Sequence, residues 1–71
     1  PANRETNLSR ILHLVYMRTG RFGAAIESLQ EAARLAPGVA GIHLNLGLAH
    51  LRHGWNREAV SPFQKALELG A

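Results

Sequence analysis

Residues 40–71, AGIHLNLGLAHLRHGWNREAVSPFQKALELGA, fall without a gap onto residues 6–37, TNLSRILHLVYMRTGRFGAAIESLQEAARLAP, at an offset of 34 positions. The coincident pairs include Leu12 with Leu46, Arg18 with Arg52, Gly20 with Gly54, Ala25 with Ala59, Ala32 with Ala66 and Leu35 with Leu69. Agreement is concentrated at small and apolar positions while most charged positions drift, so what repeats is a packing pattern. A fixed period in this range marks units that stack on one another.

Inside each unit the apolar residues recur at spacings of three and four, which places them on one face of an α-helix. Leu8, Ile11, Leu12, Val15 and Thr19 form one such series, and after Thr19-Gly20-Arg21 a second runs through Phe22, Ala25, Ile26, Leu29, Ala32 and Ala33. The later unit follows the same plan with Ile42, Leu46 and Ala49, a turn at His53-Gly54-Trp55, then Ala59, Val60, Phe63, Ala66 and Leu67. Glycine takes the left-handed conformation that closes a helix without steric cost, so Gly20 is expected to end the first helix and return the chain within a few residues. Asn56 is expected to cap the last helix by accepting a backbone N–H. Ala36-Pro37-Gly38 separates the units, because a proline keeps the residue before it out of the helical region. Pro62 removes the N–H that would bond the carbonyl of Glu58, which predicts a last helix that is bent but continuous. The resulting expectation is an all-α chain of two tandem 34-residue helix-turn-helix repeats, four antiparallel helices near 6–19, 22–35, 40–53 and 57–69. Residues 1–5 form an N-terminal extension, 6–39 the first unit and 40–71 the second.

Composition limits the alternatives. A chain of 71 residues buries only about 60% of the surface its unfolded form exposes, so stability is expected to be small. Hydrophobic residues make up 46% of it, yet no apolar run approaches the ~18 residues of a membrane span, and nothing reads as a signal peptide. A soluble chain is expected, with its compartment open. With no cysteine, disulfides and thiolate metal sites are excluded. The pI near 10.7 suggests a nucleic-acid binder, but the net charge is only +3, and all the basic residues except Lys65 are arginines, which raise the pI more than the charge at neutral pH.

The run from Ala40 resembles the tetratricopeptide repeat, a 34-residue helical hairpin, through Leu46-Gly47, Ala59, Phe63 and Ala66. The first unit is similar through Leu12, Tyr16, Gly20, Ala25, Leu29, Ala32 and Pro37. Departures are also visible. His13 stands where the family has a small residue at the closest approach of its two helices, which predicts a first hairpin that is splayed or edge-like. Ser9, His43 and His50 fill aromatic positions.

Catalysis finds no residue set. There is no aspartate, and Glu5, Glu27, Glu31, Glu58 and Glu68 are scattered over outer faces, whereas acid–base work needs groups converging in a cleft. Ser9, Ser28 and Ser61 have no base and orienting carboxylate placed for them by any motif. The chain is therefore read as a non-enzyme with no cofactor. His43, His50 and His53 share a helix at offsets that could seed a metal site, but at aromatic positions of the repeat His43 and His50 are expected to be packing groups with a polar tip, and no metal is expected. Arg4, Arg10, Arg18, Arg21, Arg52 and Arg57 outnumber nearby acids without forming a clustered basic helix, so nucleic acid is not the favoured partner.

A protein-binding surface is better supported. Beside the core series of the third helix runs a second apolar stripe, Leu44, Leu48 and Leu51. The family resemblance implies that the first helix of each unit lines a concave groove, with Arg10, Leu14, Met17 and Arg18 from one unit and Leu44, Leu48, Leu51 and Arg52 from the next. Such a groove is apolar with an arginine rim and suits a peptide or helix of a partner protein carrying acidic groups. The subset of the family that grips a terminal carboxylate is matched only at Asn45, since Arg10 and Leu14 replace its Lys and Asn. Stacked repeats bury their faces on their neighbours, so Val60, Phe63 and Leu67 on the last helix are expected either to receive a further repeat of a longer array or to mediate self-association into a homo-oligomer.

Overall fold

The computed structural model describes residues 4–70, with side chains described at Leu8 and from Ile11 onward. Four helices follow in chain order: α1 Arg4–Arg18, α2 Phe22–Leu35, α3 Ala40–Arg52 and α4 Asn56–Glu68. Each packs against its neighbours in sequence, α1 on α2, α2 on α3 and α3 on α4. The Cα extents are 29 × 24 × 15 Å, and the thin third dimension is that of two layers of helices. Among the described residues no helix is long and apolar enough to cross a membrane.

The two hairpin turns are copies of each other. Gly20 and Gly54 have φ of 76° and 89°. The N–H of Arg21 donates to Tyr16 O at 2.8 Å and that of Gly20 to Met17 O at 3.3 Å; one period later Trp55 donates to His50 O at 2.8 Å and Gly54 to Leu51 O at 3.0 Å. These paired bonds satisfy the last carbonyls of α1 and α3 and require a left-handed residue between them. Thr19, which shares a helix face with the apolar series of α1, is exposed, and its hydroxyl donates to Val15 O at 3.0 Å and to Tyr16 O at 3.2 Å, adding to the same closure. The joint between the hairpins is held from above: His43 Nε2 lies 2.7 Å from Pro37 O, and since a carbonyl only accepts, that nitrogen carries the proton.

The expected cap at Asn56 is not what forms. Trp55 occupies the N-cap position, with φ −97° and ψ 70° and no side-chain cap bond, and Asn56 is the first helical residue. Arg21 does the same for α2. In both cases the turn glycine brings the chain round so tightly that the residue after it must already serve as cap. Helix α4 runs unbroken through Pro62, whose ring is buried.

The core is built on α2 and α3. Ile26, Leu29, Ala32 and Ala36 interlock with Ile42, Leu46 and Ala49, with Met17, Ala33 and Val39 packed at the margin. The series foreseen for α1 does not join them: Leu8, Ile11, Leu12 and Val15 keep between 45 and 56% of their surface in solvent. What α1 buries is His13, at 5% exposure, flanked by half-buried Tyr16 and Met17. The reason is the neighbour count. Helix α3 has a partner on each side and buries two faces, whereas α1 packs chiefly on α2.

Nor does the first hairpin splay. In the second hairpin a Cβ built on Gly47 would come within 2.5 Å of the Phe63 ring, so this pairing needs a glycine. One period earlier the positions hold His13 and Leu29, a larger residue opposite a smaller one, and both are buried. The exchange adds side-chain volume, yet both residues are buried and α1 packs on α2 as extensively as α3 on α4.

Candidate functional site

The register of the repeats places α1 and α3 side by side on one surface. Between them lies a hollow of about 310 Å³ lined by His13, Leu14, Met17 and Arg18 from α1 and by Asn45, Leu48 and Arg52 from α3. Leu14, Met17 and Arg18 recur along α1 at three- and four-residue offsets, as do Asn45, Leu48 and Arg52 along α3, so each set shares one helical stripe.

Leu14, Met17, Arg18, Leu48 and Arg52 are thus brought together from residues chosen on sequence. Leu44 and Leu51 are exposed on α3 but lie outside this hollow, and the side chain of Arg10 falls outside the described residues. Two lining residues were not singled out for the groove by sequence reasoning. His13 was read as a packing anomaly and Asn45 as a weak motif match; their signal is positional, His13 one turn before Met17 and Asn45 one turn before Leu48.

The electrostatics of the hollow are one-sided. Arg18 and Arg52 stand in the last turns of α1 and α3, where a positive charge complements the partial negative charge of the helix end. None of the lining residues is acidic, and among the described residues no carboxylate pairs with either arginine. Leu14 and Leu48 remain substantially exposed. An apolar floor with two cations at one end can hold an apolar side chain and, beside it, an anionic group. At ~300 Å³ it is at the small end of the range for ligand cavities, room for an anchor residue or two.

A second hollow, of about 420 Å³, lies between α3 and α4 and mixes His43 and His50 with Glu58, Ser61 and Lys65. His43 and His50 are buried packing groups there: His43 bonds Pro37 O, and His50 stacks on Trp55 with ring centroids 5.8 Å apart. His53 is exposed and meets Trp55 edge-on at 4.3 Å. Among the described residues no three His, Cys, Asp or Glu side chains are grouped to hold a metal.

Val60 and Leu67, expected on a C-terminal stacking face, are exposed on α4, Leu67 at 70%. Phe63 is half-buried, its ring turned inward over Gly47.

Paired antiparallel helices at a 34-residue period, tight glycine turns and a groove lined by the first helix of each pair define a helical-hairpin repeat protein. The family model for the tetratricopeptide repeat matches residues 14–71, and the chain belongs to that family. No curated protein matches the chain. Repeats of this family are in general protein-interaction modules, typically without enzymatic activity, and they bind protein partners.

Proposed function

We propose that the hollow between α1 and α3 binds a short segment of a partner protein that presents an apolar anchor and a nearby carboxylate. The observation that carries this reading is the convergence of Leu14, Met17 and Leu48 with Arg18 and Arg52, from two helices a full repeat apart, around one concave surface. The anchor sits on Leu14, Met17 and Leu48. Its carboxylate pairs with Arg18 or Arg52, whose planar guanidinium groups suit bidentate contact. Leu44 and Leu51 extend the apolar strip along α3 and give a helical segment a second turn to rest on. The same side chains disfavour a basic segment.

Selection from a random-peptide display library tests the idea. Enriched sequences are expected to pair Asp or Glu with Leu, Met or Phe at helical spacing, and to lose about tenfold in affinity on Arg52→Ala, the loss of one charge-assisted contact of about 1.5 kcal/mol. Leu48→Glu is expected to abolish binding. Enriched peptides that are basic, or that bind Leu48→Glu as tightly as the parent, would remove the proposal.

A further inference from the structure

Arg18 and Arg52 are the one charged pair that coincides when the two units are laid over each other; elsewhere at that offset Arg21 meets Trp55, Glu31 meets Lys65 and Arg34 meets Glu68. Both arginines line the hollow at the end where the hairpins turn, because α1 and α3 run the same way and each enters its turn directly after its arginine. Beyond them the turns add Arg21, at the N-cap of α2, and Arg57, in the first turn of α4. Residues 18–26 and 50–57 thus hold four arginines and no acid. All four are exposed, and among the described residues none of them forms an ion pair. The nearest acids along the chain are Glu27 and Glu58, and Glu58 lines the other hollow, between α3 and α4. The fold does not ask for Arg21 and Arg57. A cation at a helix N-terminus opposes the partial positive charge there, and α2 has no acidic residue in its first turn to offset it. The edge is formed by the ends of the helices at two turns inside the chain, so the packing of helix on helix leaves it open.

We infer that the partner segment carries, next to its apolar anchor, a run of acidic residues that leaves the hollow over this edge; the inference rests on capture of the anchor between α1 and α3. Arg18 and Arg52 take the first carboxylate, and Arg21 and Arg57 take those that follow. Continuity decides the occupant. The arginines of the hollow and of the turns form one tract of one sign, so the chain that seats its anchor on Leu14, Met17 and Leu48 is the chain that reaches them. A nucleic acid suits the edge less well. A single strand stacks its bases on open aromatic rings, whereas Trp55, the exposed ring here, is already met by His50 and His53. Contacts to exposed arginines are individually weak and are screened by salt, so the acidic run acts through their sum.

Two synthetic peptides read the outcome. The short one holds the anchor and single carboxylate of a display-selected sequence, and the long one is the same peptide prolonged on the carboxylate side by a few glutamates. Fluorescence anisotropy with the parent chain is expected to show the long peptide binding about fivefold more tightly at low salt, and the gain is expected to vanish at about 0.5 M salt. With Arg21→Gln and Arg57→Gln combined, the two peptides are expected to bind alike. Both positions are exposed and both cations oppose a helix end, so the variant keeps its fold, which circular dichroism checks. Lys65→Gln, which removes a cation from the last turn of α4 at the opposite end of the helices, is expected to keep the gain. A long peptide that binds no better than the short one, a gain that survives the double substitution, or a gain that Lys65→Gln also removes overturns the inference and leaves capture in the hollow standing. Failure of both peptides to bind removes the hollow as a site, and this inference with it. An oligothymidylate that binds the parent more tightly than the long peptide, and loses that affinity on the double substitution, assigns the edge to nucleic acid and overturns the inference as well.

Discussion

Gly47→Ala separates helix propensity from packing at one atom. In a free helix interior the change stabilises by about 0.8–1.0 kcal/mol, because alanine loses less backbone freedom on folding. At Gly47 the added Cβ meets Cε1, Cδ1 and Cζ of Phe63 at 2.5, 2.6 and 2.8 Å. Carbons in contact settle about 3.5–4.0 Å apart, so the ring must retreat by about 1 Å. It is half-buried against α3, and overpacking of this kind costs about 1–3 kcal/mol. The net expectation is a loss of about 1 kcal/mol, or about 4–8 °C in Tm for a domain of this size. In a Phe63→Leu background, which reproduces the residue found at Leu29, the ring is gone and the same change is expected to stabilise by about 1 kcal/mol. The double-mutant cycle therefore carries a coupling of about 2 kcal/mol. Urea unfolding of the four chains, followed by circular dichroism at 222 nm, measures it. Equal effects of Gly47→Ala in both backgrounds, or a gain in the parent, would refute the reasoning. Gly41→Ala, with nothing within 4 Å of its new Cβ, is the control and is expected to be neutral or mildly stabilising.

Three further outcomes can be measured on the same chain. Gly54→Ala is expected to destabilise by about 1–2 kcal/mol although its Cβ would meet nothing within 4 Å, since the whole cost is that of a left-handed backbone at φ 89°. Thermal melts showing no loss would mean that the turn closes in another way. Pro62→Ala is expected to raise Tm: the regained helix propensity of about 3 kcal/mol outweighs the roughly 1 kcal/mol of apolar burial lost with the ring. A lower Tm would show that α4 depends on the proline. Glu31 accepts two bonds from the Arg34 guanidinium, and this hydrogen bonding, opposed by slight desolvation and helped by the charge, holds its carboxyl below the usual glutamate value. With the folded pKa lowered, its contribution is present above the unfolded glutamate pKa and is lost as pH falls through the folded one. Carboxyl NMR titration is expected to find Glu31 titrating below the usual glutamate value, and Arg34→Gln to raise it.

The elements and their order were readable without coordinates. Two superimposable stretches gave the period, the three- and four-residue spacings gave four helices to within about two residues at each end, and Gly20 and Gly54 marked the turns, because helix periodicity and left-handed closure are local properties of the chain. The cap at Asn56 was misassigned for a local reason of another kind: a turn this tight leaves the N-cap position to Trp55, and residue preference yields to geometry. The groove was partly legible. Leu14, Met17 and Arg18 could be set opposite Leu48 and Arg52 from the family resemblance, but the inclusion of His13 and Asn45 and the exclusion of Leu44 and Leu51 depend on how far α1 and α3 lie apart.

What only the tertiary structure decided is which apolar stripes are buried. Leu8, Leu12 and Val15 follow the same pattern as Ile42, Leu46 and Ala49, and no property of those residues says that one set lies in solvent and the other in the core. A helix records in its sequence that it has an apolar face; whether another helix lies against that face is a fact about its surroundings. The fit of the Phe63 ring over Gly47 is of the same sort, since what a residue meets across a contact between helices is written along neither helix.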